Sequence, residues 1–362
     1  MSHIPHSAEF APKIQSFQWA NEFCLPPTEP AYLVRGMIDL DSTSMIFGDS
    51  QAGKTFVALD RALHIAHGLP WLGRKTKKGV VLYIAAEGKS GIAKRVKAWH
   101  EHHNLDLADA LIAFRTVSTP LCEPKAVTEL IALIHEFLAG MDAMPVLIEI
   151  DTLAKNFGTG DENSTKDMTA FLAGMDALRM ATGAAVSAVH HCGHGEKSRA
   201  RGNSSLPSGL DFCYRVERAG DCVDNFVTTL TTEKCKDGEP PKPVSWKWQR
   251  QALPWTELDD NDLPVPMNSI ILSPIAHIPT VKPKVLTPKQ QQALDILKRL
   301  FKEARANLEA DNRDPNLAKV ALKHWSAAVS EFVSDRSNRT RTRNELEALK
   351  LIKISDAYVE LA

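Results

Sequence analysis

The chain has 362 residues, of which 44% are hydrophobic and 24% are charged. This balance is typical of a globular protein and excludes a chain that is disordered or fibrous throughout. Lysine and arginine together number 43 against 44 for aspartate and glutamate. No overall charge therefore draws the chain to nucleic acid or to a membrane, and any such binding must come from local patches.

The length predicts one large domain and one smaller domain. The six cysteines are scattered and include no Cys-x-x-Cys pair, so we expect reduced thiols. The first residues lack the pattern of a signal peptide, and no apolar run reaches the roughly 18 residues that a membrane span needs. These features predict a cytoplasmic protein without a membrane segment.

Residues 1–40 contain several prolines and are predicted to form a lead-in that packs on the main domain. From about Met45 onward, short apolar runs alternate with longer helical patterns. This alternation predicts an α/β domain with a mostly parallel sheet over residues 41–250. The predicted strands, each nearly continuously apolar as buried strands are, cover residues 44–47, 80–84, 146–150, 184–189 and 226–230.

The strongest pattern follows the first predicted strand and precedes a helical run. It is a complete G-x-x-x-x-G-K-T sequence, made of Gly48, Asp49, Ser50, Gln51, Ala52, Gly53, Lys54 and Thr55. In such a loop the backbone N–H groups surround phosphates, the lysine reaches the β- and γ-phosphates, and the threonine hydroxyl ligates magnesium. The sequence therefore predicts a site for a nucleoside triphosphate and Mg²⁺.

Two acidic residues at strand ends are candidates for the chemistry of this site. Asp151 ends the third predicted strand, where a carboxylate is expected near the magnesium ion. Glu87 ends the second, beside small residues, and we interpret it as the general base that orients water, with a solvated strand-end glutamate as the alternative. Glu149 shares a strand face with Asp151 but lies deeper in the sheet, and the sequence assigns it no role.

Two histidines, His190 and His191, end the fourth predicted strand. We interpret one of them as a donor to the γ-phosphate. A cysteine and a third histidine follow within three residues, which leaves zinc as an alternative, although a second distant pair of ligands is missing. The next loop carries Lys197, Arg199 and Arg201, a pattern that favours contact with a nucleic acid backbone and is equally typical of a solvated loop.

These motifs together resemble the RecA-like ATPases close to the hexameric plasmid replicative helicases of the RepA type, a group that includes phage and mobile-element proteins. The resemblance covers roughly residues 30–250 and includes the glycine-rich loop, Glu87, the segment from Asp151, the histidine pair and residues 201–205. It implies an ATP-hydrolysing ring with Glu87 as catalytic base, Asp151 supporting magnesium and histidine sensing the γ-phosphate.

In such rings a cation from the neighbouring subunit completes each site. Lys234 and Lys236, just after the last predicted strand, resemble the basic hairpin used for that purpose, although arginine is common there. Arg215 and Arg218 are the alternatives. The resemblance further implies single-stranded DNA as a partner, a homo-hexamer, and a replication initiator or primase as a further candidate partner.

Prolines cluster between residues 254 and 288, which predicts a linker or extended arm over residues 251–287. Residues 288–362 then read as a helix with proline in its first turn, a helix-turn-helix and two short strands, a pattern that resembles a winged helix. Arg339, Arg341 and Arg343 crowd the second helix of the helix-turn-helix and are predicted to bind DNA. Subunit or partner contacts are the alternative use of this module.

The sequence thus predicts a helicase or translocase that acts in replication of a plasmid, phage or mobile element. The alternatives are an ATP-switched DNA-binding regulator, or a loader or recombination ATPase without unwinding activity.

Overall fold

The computed structural model describes residues 19–24, 31–86, 89–141, 143–191, 209–236, 238–277, 286–349, 351–355 and 357–361, without the side chains of residues 22, 23 and 89. The chain divides into two compact units, Met1–Ile278 and Pro279–Ala362. Among the described residues, no helix is long and apolar enough to cross a membrane.

The larger unit alternates strands and helices, as predicted. Its helices are α1 (Ala20–Phe23), α2 (Lys54–His67), α3 (Lys89–His103), α4 (Pro124–Phe137) and α5 (Thr165–Thr182). Its strands are β1 (Tyr32–Val34), β2 (Ile38–Asp39), β3 (Thr43–Gly48), β4 (Val80–Ala85), β5 (Ile112–Arg115), β6 (Pro145–Asp151), β7 (Ala185–His191), β8 (Phe212–Ala219), β9 (Val227–Cys235), β10 (Val244–Leu258) and β11 (Pro264–Ile275).

Within the described residues, one sheet of nine strands organises this unit, in the order β11-β10-β9-β8-β3-β7-β6-β4-β5. The six strands from β8 to β5 are parallel to their neighbours. The remaining strands, β9 to β11, join antiparallel. The five predicted strands correspond to β3, β4, β6, β7 and β9, so the predicted α/β class and the mostly parallel sheet are confirmed.

Helices cover both faces of the parallel part of the sheet. Alternate residues of β4 show the division, because Val81 and Tyr83 pack in the cluster that contains α2 and α3, whereas Leu82 and Ile84 pack in the cluster that contains α4 and α5. Successive side chains of a strand point to opposite faces, and burial on both faces explains why these strands read as continuous apolar runs.

The lead-in over residues 1–40 includes part of the core. Strands β1 and β2 pair antiparallel, and Leu33, Val34, Met37 and Ile38 are buried in the cluster that contains α2 and α3. This placement agrees with the prediction that the lead-in packs on the main domain. Residues 1–18 and 25–30 of the lead-in lie outside the described residues.

The linker predicted over residues 251–287 is wrong for residues 251–275. These residues belong to a long antiparallel hairpin formed by β10 and β11. Pro264, Pro266 and Pro274 all lie in β11, which is the edge strand of the sheet. An edge strand tolerates proline because its outer N–H groups need no partner strand, so the proline cluster marked an edge and not a break.

The smaller unit contains three helices and a three-stranded sheet in its described residues. They are α6 (Pro288–Ala310), β12 (Val320–Ala321), α7 (Leu322–Ser330), α8 (Arg336–Ala348), β13 (Ile352–Ser355) and β14 (Tyr358–Leu361), with the antiparallel sheet order β12-β14-β13. Thr287 caps α6 in a capping box with Gln290, and Pro288 occupies the first turn as expected. The core of this unit includes Leu297, Trp325 and Leu346.

Candidate nucleotide-binding site

The glycine-rich loop connects β3 to α2, which is the context that the motif requires. Gly48 has no room for a side chain, since a Cβ there would lie 2.1 Å from the carbonyl oxygen of Val216 on the neighbouring strand β8. Gly53 has a φ of 97° and directly precedes the first residue of α2. A left-handed conformation of this kind favours glycine. Gly48 is therefore required for space, and Gly53 for its backbone conformation.

Lys54 is buried at the start of α2 and lies against the loop itself. Its Nζ donates hydrogen bonds to the carbonyl oxygens of Gly48 at 3.0 Å and Asp49 at 2.8 Å. The same atom lies 3.1 Å from Nδ1 of His191. Because an ammonium group only donates, Nδ1 must accept, and a neutral His191 ring then carries its proton on Nε2.

Thr55 and Asp151, the two residues predicted to hold magnesium, lie close together. Thr55 Oγ1 lies 3.3 Å from Asp151 Oδ1. The other carboxylate oxygen, Oδ2, accepts a hydrogen bond of 2.8 Å from the hydroxyl of Tyr83. Burial, and after it the charge of Asp151, raises the pKa of Tyr83 well above its ordinary value, so the hydroxyl keeps its proton and donates.

This pair of hard oxygen donors fits Mg²⁺, which proteins commonly hold through one or two carboxylates together with substrate phosphates and water. Among the described residues, no group of three or more histidine, cysteine, aspartate or glutamate side chains could hold a metal ion by itself. The zinc alternative depends on Cys192 and His194, which lie outside the described residues.

Glu149, which the sequence left without a role, forms a buried ion pair. Its Oε2 accepts a hydrogen bond from Nη2 of Arg61 on α2, and the same nitrogen donates to Ser187 Oγ on β7 at 2.7 Å. Arg61 and Glu149 are both fully buried. The pair therefore ties the helix that follows the glycine-rich loop to the strand that ends in Asp151.

The two histidines of β7 have different surroundings because adjacent strand residues face opposite sides of a sheet. His191 pairs in register with Gly48 and lines the cavity beside the loop. His190 pairs with Phe47, is fully buried, and is absent from the lining of that cavity. Of the two candidates for a phosphate contact, His191 is therefore the one that the cavity contains.

A cavity of about 400 Å³ opens beside the loop and gathers residues from five elements. Its lining comprises Ser50, Gln51, Gly53, Lys54, Thr55, Phe56, Arg95, Thr152, His191, Arg218 and Trp248. The sequence analysis missed Phe56, Arg95 and Trp248, and it considered Arg218 only as a trans-acting cation. Only the folded structure marks Phe56, Arg95 and Trp248, since no predicted motif contains them.

A family model described as an AAA domain matches residues 8–197, which is more than half of the chain and includes the loop, Asp151 and both histidines. The chain belongs to this AAA domain family. The solved structure of the RadB recombinase is 12% identical, with a TM-score of 0.41, over 57% of this chain and 87% of that one. A comparison with curated proteins found no match.

The predicted class, the RecA-like P-loop ATPases, is confirmed by the AAA domain assignment together with the glycine-rich loop and the sheet topology. The narrower resemblance to plasmid replicative helicases stays a prediction.

Several predicted site residues of this AAA domain protein lie outside the described residues. They are the proposed base Glu87 and the proposed DNA contacts Lys197, Arg199 and Arg201.

The candidate trans-acting cations contact groups of their own chain. Arg215 forms ion pairs with Glu217 at 2.9 Å and Glu233 at 2.6 Å. Lys234 donates a hydrogen bond to the carbonyl oxygen of Leu210, and Lys236 forms an ion pair with Asp211 at 3.0 Å. The side chain of Lys236 is nevertheless 61% exposed, against 11% for Arg215.

The arginines of α8 differ in what they contact. Arg339 donates to the carbonyl oxygens of Val333 and Ser334, just before the helix. Arg341 is 77% exposed and pairs with Glu345 one turn later at 2.7 Å. Arg343 is half-buried and thus less exposed than Arg341. The two lie on different faces, because residues two apart are separated by about 200° around a helix.

Proposed function

We propose that the protein is a magnesium-dependent ATPase that assembles as a ring, a hexamer, and moves along single-stranded DNA during replication of a plasmid, phage or integrated element. The observation that carries the ATPase part is the convergence of Lys54, Thr55 and His191 on one cavity beside the glycine-rich loop. The carboxylate of Asp151, at the end of β6, lies 3.3 Å from the hydroxyl of Thr55. The DNA-dependent motion rests on the resemblance described above.

In the proposed reaction the loop and Lys54 hold the β- and γ-phosphates of ATP, and Thr55 and Asp151 hold magnesium. The bound ion would neutralise charge on the phosphate oxygens. Tyr83 orients the Asp151 carboxylate through its hydrogen bond. Glu87 acts as the general base that takes a proton from the attacking water, and His191 donates from Nε2 to the γ-phosphate and so senses its presence.

In the ring, a cation of one subunit reaches the site of the next. Lys236 is the favoured candidate among Lys234, Lys236 and Arg215. Its side chain is 61% exposed, whereas that of Arg215 is 11% exposed. Its ion pair with Asp211 is at the surface and is easily exchanged for a phosphate contact. A replication initiator or primase remains a proposed partner of the ring.

We further propose that the smaller unit is a winged helix that binds DNA through α8. The order of its helices and strands and the three-stranded antiparallel sheet support this reading. Five exposed polar residues of α8 lie on one face at helical spacing, together with the acidic residues Asp335 and Glu345. The five are Arg336, Ser337, Thr340, Arg341 and Asn344. Arg339 and Arg343 stay proposed DNA contacts, and Arg339 also donates to the carbonyl oxygens of Val333 and Ser334 just before the helix.

This DNA-binding face also favours a second function, an ATP-switched regulator or a loader or recombination ATPase that binds duplex DNA without unwinding it. A strand-displacement assay with ATP separates the two. The helicase displaces the labelled strand, whereas the regulator binds the duplex and displaces nothing.

The ATPase assignment is tested with two substitutions. Lys54→Ala is expected to abolish ATP hydrolysis, and Glu87→Gln is expected to abolish hydrolysis while ATP binding is retained. Lys125, whose side chain is 90% exposed on α4, provides the control Lys125→Ala, which should hydrolyse ATP at the wild-type rate. Full DNA-stimulated turnover by Lys54→Ala would refute the proposed site.

A further inference from the structure

One guanidinium group and two aromatic rings pack together beside the cavity, whose lining includes Arg218 and Trp248. The Cζ atom of Arg218 lies 3.9 Å from the ring centroid of Phe226 and 5.7 Å from that of Trp248. The two rings themselves meet edge to face, with centroids 5.2 Å apart. We call Arg218, Phe226 and Trp248 the aromatic shelf.

Hydrogen bonds connect the aromatic shelf to the glycine-rich loop. Trp248 Nε1 donates to Thr228 Oγ1 at 2.8 Å, and Thr228 Oγ1 donates to the carbonyl oxygen of Ala52 at 3.0 Å. A Cβ placed on Gly53 would lie 3.2 Å from Cζ2 of Trp248. The shelf therefore begins where the last glycine of the loop ends, within reach of any group attached to a phosphate held by that loop.

Sheet topology places the shelf opposite the metal-side carboxylate. Asp151 ends β6, two strands from the loop strand β3 in one direction. Arg218, Phe226 and Trp248 come from β8, the turn before β9, and β10, which lie in the other direction. If the γ-phosphate faces Asp151, a nucleoside attached at the far end of the triphosphate must extend toward the shelf.

The charge of Arg218 is not used in an ion pair with any described carboxylate, unlike that of Arg215 two residues earlier on the same strand. Its guanidinium group lies instead over the ring of Phe226. A planar guanidinium group backed by aromatic rings offers a surface on which a flat base stacks. The cavity volume, about 400 Å³, lies in the usual range of about 300–1,000 Å³ for a site that encloses a whole small molecule.

We propose that the aromatic shelf binds the nucleobase of the triphosphate by stacking on the guanidinium plane of Arg218. This inference rests on the proposed ATPase function, since it assumes that the glycine-rich loop holds the phosphates. The competing explanation for a cation in this cavity is a direct contact with phosphate, which needs the charge of Arg218 and not its plane.

The two explanations are separated by comparing ATP with inorganic tripolyphosphate as ligands of the full chain in calorimetric titrations with Mg²⁺. Arg218→Ala should weaken ATP binding by roughly 5- to 150-fold, the usual effect of losing one stacked base, and leave tripolyphosphate binding unchanged. Arg218→Lys keeps the charge and removes the plane, so we expect the same selective loss. Arg250→Ala, a substitution of a half-exposed arginine on β10 outside this cavity, should leave both affinities unchanged.

Two results would overturn the inference. Equal losses for ATP and tripolyphosphate in Arg218→Ala would identify a phosphate contact, and full ATP affinity in Arg218→Lys would show that charge alone suffices. Circular dichroism of each variant checks that it is folded. Failure of the wild-type chain to bind tripolyphosphate, with the same lack of binding in Lys54→Ala, would instead refute the phosphate site and thus the proposed function.

Discussion

Substitution of Glu149 by leucine should destabilise the larger unit strongly, because it leaves the buried charge of Arg61 without its counter-ion. Arg61 is fully buried and donates from one nitrogen to Glu149 and to Ser187. Without the carboxylate, its described hydrogen-bond partner is a neutral hydroxyl. Removing one partner of a buried ion pair typically costs about 3–5 kcal/mol, which is a large fraction of the stability of an ordinary domain.

The matching double substitution, Arg61→Met with Glu149→Leu, removes both charges and keeps the side-chain volumes similar. Such replacements are often neutral or stabilising, so the double variant should be more stable than Glu149→Leu alone. Urea unfolding followed by near-UV circular dichroism gives the free energies of unfolding. Glu129→Ala, which breaks an exposed pair with Lys125, should leave the unfolding midpoint unchanged. A loss below about 1 kcal/mol for Glu149→Leu, or a double variant less stable than the single one, would refute this reasoning.

Two further predictions concern the carboxylates of Asp151 and Asp211. Tyr83→Phe removes the donor that orients Asp151, so the Mg²⁺ concentration for half-maximal ATPase activity should rise by about 10- to 100-fold, measured by titration, and an unchanged value would contradict that role. Burial raises the pKa of Asp211, but hydrogen bonds from Thr43 and Lys236 outweigh it and hold the pKa below 3.8. Its contribution to stability is therefore complete above that pH and lost as the pH falls through the lower folded value, and Asp211→Asn should flatten this acid dependence in urea unfolding.

The parts of the fold that the sequence predicted correctly have local signals. The glycine-rich loop is a contiguous pattern, and a strand buried on both faces is a contiguous apolar run. Strand β8 escaped prediction because Arg215, Glu217 and Arg218 interrupt its apolar residues. Strand β11 escaped because proline is normally read as a break, whereas at a sheet edge it is tolerated.

The choice between His190 and His191 shows a different limit of sequence reasoning. Strand geometry predicts that only one of two adjacent residues can face the cavity, but the sequence does not give the register between strands. His191, which pairs with Gly48, is the one that lines the cavity, and this position is a property of the assembled sheet. Glu149 is similar, since its partner Arg61 lies 88 positions earlier on a helix that the sequence alone does not align with β6.

The glycine-rich loop itself depends on such distant contacts. The motif predicts its conformation, yet the hydroxyl that binds the carbonyl of Ala52 belongs to Thr228, which is 176 positions away. Thr228 and Trp248 also occupy the space beside Gly53, where a Cβ would lie 2.8 Å from Thr228 Oγ1. The glycine is therefore required twice, by its positive φ and by the close approach of β9 and β10. Strands that carry no nucleotide-binding motif thus hold the loop in place, and this explains why the aromatic shelf could be found only in the folded protein.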